Sequence, residues 1–255
     1  MTDRFILTPY FLDDPLPELE ALAGPDWQVN RGGSPGTDQW ASMSALHEAL
    51  AGRVARALQA GHRPVSIAGD CCASIGTTAG MHRAGIDPLL IWFDAHGDFN
   101  TWETTPSGFL GGMPLAMLVG RGEQTLPQAV GLRPLSEARI ILTDARDLDP
   151  AEAEAVRGSR VTHLPKVTDL LDFPIPEGPI LVHFDTDVLD PAHAPAVSYP
   201  APGGASPEEL TETFRHLAST GRVSGVSVST WNPRLEGTEA TARVCMQLLQ
   251  VLLGE

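Results

Sequence analysis

The stretch Leu89-Leu90-Ile91-Trp92-Phe93-Asp94-Ala95-His96-Gly97-Asp98 decides how this chain is read. Its first five residues are apolar without interruption, as expected of a strand buried on both faces, and its end turns abruptly acidic. Six further short runs of strand character lie at residues 4–7, 64–68, 139–142, 160–164, 180–184 and 223–228. Between them fall stretches with apolar residues three and four apart. In residues 40–58 Leu46, Leu50, Val54 and Leu58 share one side, and residues 207–217 open after Ser206 with Glu208 and Glu209 in the first turn, where the helix dipole favours acids. Residues 239–253 form a last core-facing helix. Strands alternating with helices predict a three-layer α/β/α fold around a mostly parallel sheet. Proline and glycine are scattered at element ends, so residues 1–255 are read as one domain, with 33–36 and 200–204 as ordinary loops.

In open α/β sheets ligands bind beyond the carboxyl ends of the strands. Two of these ends carry the same kind of acidic comb: Asp94-Ala-His96-Gly-Asp98, and Asp185-Thr-Asp187-Val-Leu-Asp190-Pro191 after the run 180–184. In extended chain, side chains two apart point the same way about 6–7 Å apart, so each comb presents its ligand-type groups to one side. Read singly, each comb is equally consistent with turn-forming, solvated acids. Together, after two buried-type strands, they predict a divalent cation, because so many converging carboxylates repel one another unless neutralised. Carboxylates with a single imidazole favour Mn²⁺ over thiolate-loving metals.

Composition narrows the alternatives. With 255 residues the chain can bury a sizeable core, and no apolar run approaches bilayer length. The 32 acidic against 17 basic residues give a net charge of −15, which disfavours nucleic acid and suits a protein that holds cations. Three cysteines, Cys71, Cys72 and Cys245, and an amino-terminal stretch without signal-peptide character predict a cytoplasmic protein. Neither Gly111-Gly112 nor Gly203-Gly204 continues as a phosphate-binding loop, and no Gly-x-Ser-x-Gly turn occurs.

A third element, Ala68-Gly69-Asp70-Cys71-Cys72, follows the run 64–68. With it the chain resembles the ureohydrolases, the arginase, agmatinase and formiminoglutamase family, whose members carry Gly-Gly-Asp-His-Ser, Asp-Ala-His-x-Asp and Ser-x-Asp-x-Asp-x-x-Asp-Pro in this order. The resemblance spans residues 64–233 and implies a sheet of about eight strands, homo-oligomers (trimers or hexamers), and two Mn²⁺ ions sharing a hydroxide that attacks a guanidinium carbon. Carried over by position, Cys71, Asp94, Asp98 and Asp185 stand at the first metal and Asp94, His96, Asp185 and Asp187 at the second, with Asp94 and Asp185 bridging.

The departures from the family pattern matter as much. Cys71 stands where the family has a histidine ligand; it is either a soft, negative ligand or an inert buried thiol beside an incomplete site. Gly111 stands where the family has its proton-shuttle histidine, and Thr230 where a glutamate pairs with the substrate guanidinium. Asn100, Thr105 and Ser107 match positions that bind an α-carboxylate, although Phe109 replaces an asparagine. Asp149, in Arg146-Asp147-Leu148-Asp149-Pro150, matches an acid near the α-amino group and reads equally well as a helix cap. His183, where the family has serine, and His193 are candidates for the lost shuttle, His183 also for holding a ligand or simply packing. Glu103 is a candidate for the charge absent at Thr230.

The expected substrate is therefore a small amino-acid-like molecule whose reacting carbon bears a less basic group: an N-hydroxyguanidine, a ureido or an O-ureido compound. A Cys-for-His variant of the family hydrolyses N-hydroxy-arginine, and Cys71 is similar to it. Two alternatives stay open at this point, a catalytically silent metal-binding relative and a single-metal, deacetylase-like hydrolase.

Overall fold

The computed structural model describes residues 2–32 and 38–255; the loop expected at 33–36 lies outside them. In chain order the elements are β1 (Thr2–Thr8), β2 (Tyr10–Phe11), β3 (Asp14–Pro15), β4 (Gln28–Val29), α1 (Gln39–Gln59), β5 (His62–Ala68), α2 (Ala73–Arg83), β6 (Leu89–His96), α3 (Pro114–Leu118), α4 (Thr125–Ala129), β7 (Ile140–Asp147), α5 (Pro150–Arg157), β8 (Thr162–Leu164), β9 (Ile180–Asp185), α6 (Pro207–Ser219), β10 (Val223–Ser229) and α7 (Thr238–Leu253).

Eight strands form one sheet in the order β4-β1-β5-β10-β9-β6-β7-β8, and every neighbouring pair is parallel. All seven strands expected from the sequence are present. The eighth, β4, is a two-residue edge strand too short to show a period. Side chains alternate between two apolar layers: Ile67, Phe93, Phe184 and Val228 pack with Phe214 of α6 and Leu248 of α7, while Leu90, Trp92, Leu142 and Leu181 face Leu50 and Val54 of α1 and Ile75 of α2. This is the three-layer α/β/α arrangement, and burial on both faces explains the uninterrupted apolar runs. Helix α6 begins as expected, with Ser206 Oγ accepting from the Glu209 N–H at 3.2 Å and Glu209 Oε2 accepting from the Ser206 N–H at 2.8 Å.

Two features of the topology place the site. Strands β5, β10, β9 and β6 are consecutive in the sheet although far apart in sequence, so four loops meet at their carboxyl ends. Above them sits the small β2–β3 hairpin. Gly69, at the end of β5, donates its N–H to the Tyr10 carbonyl at 2.9 Å, and a Cβ on Gly69 would lie 2.4 Å from that oxygen. Only glycine lets the hairpin seat so closely, and this seating carries Phe11 to the rim of the cleft.

Candidate metal centre

Strands β6 and β9 run further than their apolar cores suggest, so Asp94, His96 and Asp185 belong to the strands themselves. Their backbone is fixed, and so are their directions. Asp94 Oδ1 accepts from the His96 N–H at 2.7 Å and its Oδ2 from Trp92 Nε1 at 2.9 Å. Asp185 Oδ1 accepts from the Asp187 N–H at 2.9 Å, and Asp187 Oδ1 from the Ala95 N–H at 3.1 Å, which ties the two combs together. Arg146 anchors the second comb from behind: its guanidinium pairs with Asp144 and donates to the carbonyls of Asp187, Val188, Leu189 and Ala201. Asp70 holds the third loop, accepting from the N–H groups of Leu12 and Cys72 at 2.8 and 2.9 Å.

The combs converge. One donor atom each from Cys71, Asp94, His183 and Asp185 lie within 4.8 Å of one another, and so do donor atoms of Asp94, His96 and Asp187. Asp94 is common to both groups. Asp98, the last residue of the first comb, lines the same cleft with a left-handed φ of 49°, and its buried Oδ2 has no hydrogen-bond partner.

Burial dominates the electrostatics. Asp94, Asp98, Asp185 and Asp187 are all held above the ordinary carboxylate range, first by loss of water and then by one another, Asp185 up to about 7. Among the described residues no arginine or lysine side chain pairs with any of the four; the cationic partner is His96, whose Nδ1 lies 3.0 Å from Asp187 Oδ2 and 3.4 Å from Asp94 Oδ1. Burial alone would lower His96, but the bonds to Asp187 and Asp94 outweigh it and push it up to about 12. Cys71 is a thiol here, pushed up by burial and by Asp185, Asp98 and Asp94, and it donates to Asp185 Oδ2 at 2.8 Å. Four buried carboxylates with one imidazole and one sulfur, and one carboxylate oxygen unpartnered, form a donor set that fits divalent metal.

Beyond the acids opens a cleft of about 540 Å³. One wall is polar. Asn100 donates to Asp149 Oδ2 at 3.0 Å, and Thr105 and Ser107 share a hydrogen bond of 3.3 Å. Asp149 stands at the start of α5, its N–H donating to Glu152 Oε2 at 3.2 Å, while its carboxylate accepts from Asn100 and lines the cleft. Thr230 lines the floor, its hydroxyl unpartnered. Another wall is aromatic, with Phe109 stacked on Phe11 at a centroid distance of 6.2 Å and tilted by 38° against Tyr199 at 5.0 Å.

Other sequence candidates lie elsewhere. Glu103 is exposed, outside the cleft lining, accepting from Thr101 Oγ1 at 2.7 Å, so its charge is turned toward solvent. His193 is exposed in the turn after Asp190 and is likewise not in the lining. His183 is fully buried beneath the acids, which leaves it no path to a leaving group in the cleft. The aromatic wall carries no signal in the sequence, because Phe11 comes from a two-residue strand and Tyr199 from a loop.

Gly111 and Phe109 turn out to be one change. A Cβ at Gly111 would lie 2.4 Å from two atoms of the Phe109 ring, so the ring fills the room a side chain at 111 needs. Gly111→His alone is expected to destabilise the protein by about 1–3 kcal/mol through overpacking, and Phe109→Asn to relieve most of that cost. Urea denaturation of the single and double variants measures the coupling; additive effects would show that the ring does not contest the space.

The Arginase family profile matches residues 14–254. The chain belongs to the arginase family. Within the family it is 31% identical to the arginase of Bacillus subtilis strain 168 over 226 residues, covering 84% of this chain and 76% of that one. Against the arginase of Bacillus caldovelox identity is 34% over 227 residues, with the same coverage. The crystal structure of Bacillus subtilis arginase superposes with a TM-score of 0.84 at 28% identity, covering 100% of this chain and 99% of that one. Formimidoylglutamase from the same species shares the fold, with a TM-score of 0.77 at 19% identity over 99% and 86% of the two chains. Membership places the chain among metal-dependent hydrolases that act on C–N bonds of guanidino compounds. No helix among the described residues is long and apolar enough to cross a membrane.

Proposed function

We propose that this arginase-family protein hydrolyses a C–N bond in an amino-acid-like guanidino, N-hydroxyguanidino or ureido compound, using a pair of divalent ions, Mn²⁺ in the family's usual form. The observation that carries the reading is the convergence of two ligand groups on a shared Asp94 at the floor of a cleft. Bound there, divalent ions would make water acidic enough to act as a nucleophile near neutral pH and would offset charge building up on the substrate. Asp94, Asp98, Asp185 and Asp187 hold that charge in place, with His96 and Cys71 as the non-carboxylate donors.

This chain's own residues set the substrate. With Thr230 on the floor and Glu103 outside the cleft, a full guanidinium finds no carboxylate partner at the position where the family supplies one. A less basic reacting group needs none. With Phe109 over Gly111, no histidine stands at that position to protonate a poor leaving group, which favours substrates whose leaving group departs more easily. Asn100, Thr105, Ser107 and Asp149 supply polar contacts for an α-amino-acid end. The three free thiols suit the cytoplasm, and the family resemblance supports a homo-oligomer.

The test is a panel of arginine, N-hydroxy-arginine, ureido and O-ureido amino acids, read for urea, hydroxyurea and ammonia, with wild type and Cys71→His. Wild type is expected to prefer the less basic substrates over arginine by at least about tenfold in kcat/KM, a difference of about 1.4 kcal/mol. Cys71→His is expected to shift that ratio toward arginine and to tighten Mn²⁺ binding. No turnover on the whole panel by fully metal-loaded protein would favour a silent metal-binding relative instead, the reading that the closed shuttle position supports.

A further inference from the structure

We propose that His183 is itself a metal ligand, completing with Cys71, Asp94 and Asp185 a four-donor site of one thiolate, one imidazole and two carboxylates that selects a zinc-like ion over manganese. The inference rests on the reading of these loops as a metal centre and goes further, because the family resemblance assigns no ligand at this position.

The observations are geometric. His183 lies on the same face of β9 as Asp185, two residues on, and its Cα is in register with Trp92 of β6 and Ser227 of β10. Its ring stacks on Trp92, with centroids 3.7 Å apart and planes 21° from parallel. The same Trp92 holds Asp94 through its indole N–H, so imidazole and carboxylate are oriented by one side chain. His183 offers a nitrogen within 4.8 Å of donor atoms on Cys71, Asp94 and Asp185. It is 0% exposed, and neither ring nitrogen has a hydrogen-bond partner. A buried imidazole with both nitrogens unbonded is an expensive arrangement that packing alone does not require. A cation among the four groups would give one of those nitrogens a partner.

The Cys71 sulfur reaches the same place: Sγ lies 2.8 Å from Asp185 Oδ2 and 3.9 Å from Asp94 Oδ2. As a ligand there it would bind as the thiolate. A sulfur, a nitrogen and two oxygens would make a four-donor, borderline-soft set, the kind that zinc takes and manganese does not favour. The neighbouring group of Asp94, His96 and Asp187 lacks sulfur and stays oxygen-rich. The two halves of the centre therefore have different preferences.

Zinc-edge X-ray absorption on the full-length protein tests this, first with His96→Ala, which leaves His183 as the one imidazole beside the acids. One equivalent of Zn²⁺ is expected to show one sulfur near 2.3 Å and one imidazole near 2.0–2.1 Å. In His96→Ala/His183→Ser the imidazole should vanish while the sulfur remains. In otherwise wild-type protein, His183→Ser and the bulkier His183→Gln should weaken zinc at the sulfur-containing site by more than about 100-fold, beyond the roughly 10–100-fold cost of losing a group that merely orients a ligand. Manganese affinity, measured in parallel, should fall far less. Zinc held by sulfur with no imidazole in His96→Ala would overturn the proposal, as would zinc affinity unchanged in both His183 variants. The His96→Ala measurement leaves residue 183 intact, so it decides even if neither variant folds. Zinc bound without sulfur would sink this inference and leave the hydrolase reading standing; a wild-type protein that binds neither zinc nor manganese would sink both.

Discussion

Asp185→Ala is expected to lower hydrolysis by about 10⁴-fold or more and to leave the purified protein with less than half its metal. This carboxylate does several things at once. Asp185 accepts a hydrogen bond from the Cys71 thiol, fixes the Asp187 N–H, and faces the buried group that includes Asp94. Its loss removes a ligand and loosens the start of the second comb. A factor of 10⁴ is about 5.4 kcal/mol of transition-state stabilisation, a modest share of what activation of water by metal supplies. Elemental analysis and kcat/KM on the best substrate of the panel check both halves of the expectation. Full metal content with full activity would show that the converging acids are not the metal centre.

The second large effect is on stability, and its sign reverses with metal. In the metal-free protein Asp185 is raised from 3.8 to about 7 and Glu152 from 4.5 to about 7, with Asp70 and Asp144 raised to about 6, in each case chiefly by burial. The unfolded chain releases these protons near pH 4, while the folded chain keeps them to pH 6–7. Across that window the native state binds more protons, so stability falls as pH rises. His96, held protonated up to about 12 despite its burial, acts in the same direction above pH 6.5. His47 and His183 act oppositely, because burial lowers them to about 4 and 3 and the unfolded state alone takes up their protons below pH 6.5. Between about pH 4.5 and 6 the four raised acids outnumber the two lowered histidines, so the metal-free protein is expected to lose stability as pH rises from about 5, by a few kcal/mol at pH 8, roughly 10 °C in Tm for a chain of this size.

Divalent ions cancel that loss. At about 1,000 times their Kd they add about 4 kcal/mol, and binding is tighter at higher pH because the ligands must shed protons first. Thermal melts at pH 5.5 and 8, with chelator and with Mn²⁺ or Zn²⁺, should show metal-free protein weaker at pH 8 and metal-loaded protein stronger there. A chelator-insensitive Tm at both values would contradict the account.

The fold and the outline of the site were legible because both are written locally. Uninterrupted apolar runs mark strands buried on both faces, and acids at alternate positions mark what those strands present at their ends. Which ends meet is not a local property. The adjacency of β5, β10, β9 and β6 comes from long crossovers, and it alone brings His183 against Trp92 and Cys71 against Asp185. Residues 109 and 111 read as two separate departures in the sequence, and only the position of the Phe109 ring makes them one. Glu103 carried the right charge for the role considered, but its loop bonds it to Thr101 at the surface, an outcome its neighbours in sequence do not announce.

The grip of Arg146 on four main-chain oxygens has a consequence for how the centre fills. A guanidinium laid across the acids themselves would have muted them and competed with any arriving ion. Clamped behind the loop, with Asp144 as its counter-charge, it gives the turn its shape and leaves the electric pull of the acids undiminished toward the open mouth. Rigidity and attraction are thus supplied by different parts, and no guanidinium bridge to these acids has to break before a cation is captured.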